Sequence, residues 1–203
     1  MIHAPIPRGM WGGWIRSGIA LDGAAPTEPA LVWWLQAPSR HCDLRVPYEG
    51  ADGLMAFAGT TSWSDPQLTW TPELELDPSV FADIGEITWD GPDMLETGTT
   101  TESGREITYV ERWQRIPNSS GPLLALSRPG GRIVRTGAVA QTIVDERALG
   151  GSFAAVAWRL DGANWLVDHC WPTGAQTPAP PVDIPTTETV VLSDGLSWAV
   201  EER

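Results

Sequence analysis

The chain has 203 residues and a formal net charge of −13, from 26 acidic against 13 basic side chains. That balance opposes the positive surface needed to neutralise nucleic-acid phosphates or to settle on an anionic membrane. Every basic residue is arginine, which excludes lysine Schiff-base chemistry and a phosphate-loop lysine.

A chain of this length buries a core as one large β-domain or two small ones, without disulfides or metal. No apolar run approaches the ~18 residues of a bilayer span. Met1–Pro5 lacks the pattern of a signal peptide, so a cytoplasmic protein is expected. Met1–Gly9 reads as a Pro-rich arm or a strand lead-in. Trp11–Leu21 then alternates, with Trp11, Ile15, Ile19 and Leu21 on one face and Trp14 and Arg16 on the other. Asp22-Gly23 turns the chain.

Leu31–Pro47 carries two runs of period two around Ala37-Pro38-Ser39-Arg40, the pattern of a β-hairpin. Its register sets Gln36 opposite His41, Trp34 opposite Asp43 and Val32 opposite Arg45. The other face collects Leu31, Trp33, Leu35, Cys42, Leu44 and Val46 and is wholly apolar. The mixed face either meets solvent or lines the lumen of a small barrel, where placed polar groups among aromatics make a ligand site.

Leu54–Thr61 is a strand or a short helix. Gln67–Trp70 and Glu73–Asp77 read as short strands split by Pro72, with Glu73, Glu75 and Asp77 toward solvent. Ile84–Trp89 and Met94–Thr97 form a hairpin about Asp90–Asp93, with Glu96 near its end. Arg105–Ile116 turns Ile107, Tyr109, Glu111 and Trp113 inward. A desolvated Glu111 is costly unless it is protonated or paired with a cation such as Arg16, Arg45 or Arg115; the alternative is that it sits near the strand end and reaches solvent.

Pro117–Gly131 is linker-like, dividing a main barrel portion, 1–116, from a β-meander, 132–203, that completes the barrel or forms a second smaller unit. In the meander Trp165, Val167, His169 and Trp171 share a face. His169 there is a core histidine or an acid/base group. Cys42 and Cys170 each follow a histidine, His41 and His169, but lack close paired ligand spacing. They read as free thiols, with no metal site. Helical periodicity is nearly absent, so the fold class is all-β and antiparallel.

A series of short motifs runs along most of the chain. They are Trp34-Leu-Gln36 with Asp43-Leu-Arg-Val-Pro47, Ala56-Phe-Ala-Gly59, Asp83-Ile-Gly85, Glu96-Thr-Gly98, Glu111-Arg-Trp-Gln-Arg115 and Ser193-Asp-Gly-Leu-Ser-Trp198. Their order resembles a set of uncharacterised bacterial proteins and, more weakly, the fungal Hri-type family named for interaction with a casein kinase. The resemblance implies a lipocalin-like β-barrel of one or two barrel units and admits a homodimer. It supplies no catalytic residues. This chain differs from the bacterial pattern in carrying His41 and Thr71.

The expected function is small-molecule binding in the lumen with cofactor-independent acid/base chemistry of isomerase, cyclase or lyase type. Arg45 and Gln36 would fix the polar end of a small aromatic or apolar substrate. Trp14, Arg16, Trp34, Tyr109 and Trp113 would surround it, and Glu111, Asp43, His41 or His169 would move the proton. The alternatives are a non-catalytic carrier or sensor, an interaction module that pairs through the dry hairpin face, and a haem site on His41 or His169. No dinucleotide fold, phosphate loop or nucleophile elbow is evident.

Overall fold

The computed structural model describes residues 6–48, 55–77, 83–102 and 104–203. Eight strands form a closed barrel: β1 (Gly12–Leu21), β2 (Ala30–Gln36), β3 (Arg40–Pro47), β4 (Met55–Ser64), β5 (Gln67–Glu75), β6 (Asp83–Asp90), β7 (Asp93–Glu102) and β8 (Arg105–Arg115). Each strand pairs antiparallel with the next, and β8 returns to β1.

The central hairpin pairs in the expected register, Gln36 with His41, Trp34 with Asp43 and Val32 with Arg45. Its mixed face turns into the barrel, where Trp34, Gln36, His41 and Asp43 are buried. Ala56–Thr61 is strand rather than helix, and Gln67–Glu75 is one strand rather than two. Pro72 fits because a bulge places it opposite Gly59, where a Cβ would lie 2.1 Å from the Thr71 carbonyl oxygen.

A second unit follows as an open seven-stranded sheet, not a second barrel. It contains β9 (Leu123–Arg128), β10 (Gly131–Thr136), β11 (Val139–Asp145), β12 (Phe153–Asp161), β13 (Asn164–Trp171), β14 (Thr189–Val191) and β15 (Ser197–Glu202). β9 lies inside the stretch expected as a linker, because Leu124 and Leu126 are buried in the sheet's own core. The connection proper is 116–122.

The dry hairpin face is covered by this sheet. Trp33, Leu35, Cys42 and Leu44 pack in one cluster with Val134, Ile143 and Phe153. Gln141 Nε2 also donates to the Trp33 carbonyl at 2.8 Å. That face is therefore unavailable to another protein. The sheet's far side is crossed by the Pro-rich segment, which Arg135 and Thr142 hold through the carbonyls of Pro181 and Pro178.

Two bulges overturn face assignments made from strict alternation. A register shift between Arg16 and Gly18 moves Ile19 opposite Glu111, inside the barrel instead of on the face of Ile15. Another, between Ala157 and Trp158, separates Trp165 from His169 and Trp171. Trp165 packs with Trp158, whereas Trp171 packs toward the barrel and His169 meets the edge of Trp33. One extra residue exchanges the two faces of everything beyond it.

Candidate functional site

The barrel is sealed at one end by indoles. The ring of Trp34 lies edge-on to Trp70 at 5.3 Å and to Trp113 at 5.5 Å between centroids, and stacks with Trp14 at 6.4 Å. Ile6 and Met10 of the N-terminal arm complete this floor. Trp14 Nε1 donates to the Met10 carbonyl at 2.8 Å, and the Arg115 guanidinium covers the Trp14 ring at 4.0 Å. Gln36 and His41 belong to the same closed end. Gln36 Oε1 accepts from Trp34 Nε1 and from Thr61 Oγ1, and its amide donates to the Ala37 carbonyl.

Above the floor lies a layer of charged groups. Arg16 makes a two-pronged pair with Glu28, at 3.0 and 2.9 Å, and its remaining arm donates to Glu111. Arg45 Nε donates to Asp43 at 3.0 Å, with Asp83 at 3.8 Å beyond. Burial works against the Arg45 charge, but Asp43, Glu111 and Asp83 outweigh it and hold its pKa above the ordinary value. The Asp43 carboxyl is pushed up by burial despite Arg45. The expected cation for Glu111 is thus Arg16.

Glu96 is the group that the sequence reading left out of the site. It faces Glu111 across β7 and β8, is 3% exposed, and among the described residues the donors on its oxygens are neutral. Tyr109 Oη lies 2.9 Å from Oε1, and Trp113 Nε1 donates to Oε2 at 3.0 Å. Burial first, then the carboxylates of Glu111 and Asp83, push its pKa well above the ordinary range. The Tyr109 hydroxyl is pushed up as well, by burial and then by Glu96. Two carboxyl groups side by side therefore differ: Glu111 is paired with a guanidinium, and Glu96 favours its neutral acid form.

Two glycines make room for this arrangement. A Cβ on Gly85 would sit 2.5 Å from Glu96 Cγ, and one on Gly98 would sit 2.5 Å from Tyr109 Oη. Above the charged layer a cavity of about 1090 Å³ opens, lined by Arg16, Arg45, Glu96, Tyr109 and Glu111 together with Ile19, Met55, Phe57, Asp83 and Ile84. Glu75 and Asp77, expected to face solvent, also border it. Glu73 instead bridges Arg40 and Arg132.

Of the residues proposed from sequence, Arg16, Arg45, Tyr109 and Glu111 reach this cavity. Asp43, Trp34 and Trp113 line a small void just beneath it with Glu96. Trp14, Gln36 and His41 lie in the floor, away from the chamber. His41 is lowered to about 3, first by burial and then by Arg40, so it is a neutral ring bonded through Nδ1 to Thr61 Oγ1 at 2.9 Å. His169 sits outside the barrel altogether. Neither histidine lines the cavity, so the haem reading loses its ligand.

Cys42 and Cys170 are free and lie on opposite sides of the second sheet. Among the described residues no group of histidine, cysteine, aspartate and glutamate is arranged to hold a metal ion. No helix among them is long and apolar enough to cross a membrane.

The motifs singled out in the sequence converge on this chamber. Asp43 and Arg45, Asp83 and Gly85, Glu96 and Gly98, and Glu111 and Trp113 all contribute to its charged layer or its floor. Ser193–Trp198 instead serves the second sheet, where Trp198 is buried and donates to Asp194. No curated protein and no solved structure matches the chain. A family model described as Protein HRI1 matches residues 14–202. With almost the whole barrel and second sheet inside that match, the chain belongs to the Protein HRI1 family.

Proposed function

We propose that the barrel is a binding chamber for one small molecule, and that Glu96 exchanges a proton with that molecule. The observation that carries this reading is a buried carboxyl whose hydrogen-bond donors among the described residues are neutral, on the wall of a cavity of about 1090 Å³. Ligand sites typically occupy ~300–1,000 Å³ and combine an apolar lining with a few placed polar groups. Phe57, Ile19, Ile84 and Met55 supply the apolar part. Lipocalin-like architecture is part of the same proposal: an up-and-down barrel of eight strands closed at one end admits one ligand through the other.

The reaction class that fits is a cofactor-independent isomerisation, cyclisation or elimination, which requires orientation and one acid/base group. A carrier without turnover is the second reading. It is favoured by the engagement of both Arg16 and Arg45 with carboxylates, which leaves neither guanidinium dedicated to a developing negative charge. A homodimer, and a cytoplasmic location, remain part of the proposal.

The test is a titration with small aromatic and alicyclic compounds bearing amine, ketone or carboxylate ends, followed through tryptophan fluorescence. Binders are then incubated in deuterated water and monitored for carbon-bound deuterium. The enzyme reading predicts exchange that slows by a factor of about 10² or more in Glu96→Gln while binding persists. Binding without exchange establishes the carrier. Failure of every compound to perturb the indoles contradicts the chamber.

A further inference from the structure

We propose that the chamber's ligand is an organic cation, an amine on a small apolar or aromatic body, whose ammonium group docks against Glu96 and sends that residue's proton to solvent. The inference rests on the reading of the lumen as a binding chamber and names the chemical class it takes.

Three features support it. Charge is the first: the cavity wall carries Arg16 and Arg45 against six carboxyl side chains, including Asp83, Glu96 and Glu111. Both guanidinium groups are already paired, Arg16 with Glu28 and Glu111 and Arg45 with Asp43. A carboxylate ligand would meet a field of its own sign and, among the described residues lining the cavity, no guanidinium free to receive it. A cation would meet the opposite field, strengthened by low-dielectric walls.

The second is the state of Glu96. The groups that act on it are Glu111 and Tyr109 from β8, Asp83 from β6 and Arg45 from β3, while Asp43 of β3 borders the same small void and Arg16 of β1 the same cavity. Among them the acids outnumber the arginines, so the site already strains against a further negative charge at Glu96. An ammonium beside it supplies the missing counter-charge and stabilises the carboxylate. Occupancy therefore converts a neutral acid into a base, and the proton passes to bulk buffer. The cation itself switches on the group that the proposed chemistry needs.

The third is shape. Tyr109, Phe57, Ile19 and Ile84 border the cavity near Glu96, and aromatic faces attract cations as well as apolar bodies. The ligand's polar end is thus set by Glu96 and its body by these side chains.

The experiment uses phenethylamine, 2-phenylethanol and 3-phenylpropanoate, matched in shape and different in charge. Each is titrated into the full-length protein by calorimetry in two buffers of different ionisation enthalpy, which counts the protons released. The amine is expected to bind at least about tenfold tighter than the alcohol. It should release about one proton at pH values where Glu96 is still protonated, and its affinity should rise with pH over that range. In Glu96→Gln the preference for the amine and the proton release both disappear, while the alcohol binds as before. Asp83→Asn, nearer the rim, reduces the preference more weakly and provides a second route if the first variant folds poorly. Equal binding of amine and alcohol, or tighter binding of the carboxylate, overturns the cation assignment and leaves the chamber standing. Binding by none of the three overturns both.

Discussion

Glu96 and Glu111 occupy facing positions on neighbouring strands, yet their surroundings assign them opposite roles. Glu111 and Glu28 share the Arg16 guanidinium, so Arg16→Met takes that cation from both carboxylates. A loss of about 3–5 kcal/mol in chemical denaturation is expected, as for other broken buried pairs. Glu96 behaves differently with pH. Its folded pKa is raised above its unfolded value, so its stabilising contribution is complete in acid and is lost as pH rises from the ordinary carboxylate range through the raised one. Glu96→Gln should flatten that decline and be more stable than the parent under alkaline conditions, which denaturation at a series of pH values checks. His41 acts in the other direction. Its folded value is lowered to about 3, so stability falls as pH drops from its ordinary range toward that value, and His41→Gln should remove this part of the acid sensitivity.

At the level of strands, the hairpin of β2 and β3 is legible because nothing interrupts its alternation, but an apolar face opposite a mixed one fits a half-exposed sheet as well as a barrel wall, and only the closure of β8 on β1 decides between them. Ile19 and His169 depart from strict alternation because a bulge precedes each, and a bulge leaves no mark in a pattern of apolar and polar residues, whereas Glu75 keeps its alternation with Leu74 and Leu76 and differs only in bordering the lumen instead of solvent. Glu96 was overlooked for another reason. On β7 it alternates with Met94 and Gly98, and glycine carries no hydropathy signal that marks an inward face. Gly98 is nonetheless required there, since Tyr109 occupies the space its side chain would take. Gly98→Ala should cost about 1–3 kcal/mol through overpacking and displace Tyr109 from Glu96. The thermal midpoint and the tyrosine's alkaline titration report the two effects. Charge pairing was legible only as a need: Glu111 demanded a cation, but Glu28, which shares that cation, gave no sign of its part.

The whole molecule is a barrel whose one apolar flank is closed by its own C-terminal sheet. Because Leu35, Leu44, Val134 and Ile143 lie in one cluster, the two units should unfold together. Leu44→Ala should lower stability by about 2–5 kcal/mol and move the fluorescence and far-ultraviolet circular dichroism transitions equally; a split into two transitions would show that the units fold separately. The same architecture leaves the opposite end of the lumen open above a charged layer in which Glu96, among the described residues, is hydrogen-bonded by the neutral donors Tyr109 and Trp113. The most direct test of that picture is infrared difference spectroscopy of the wild-type protein against Glu96→Gln across a pH titration. The account predicts a protonated-carboxyl band that persists well above the ordinary carboxylate range and is absent from the variant. Ionisation of Glu96 in the ordinary range would contradict it.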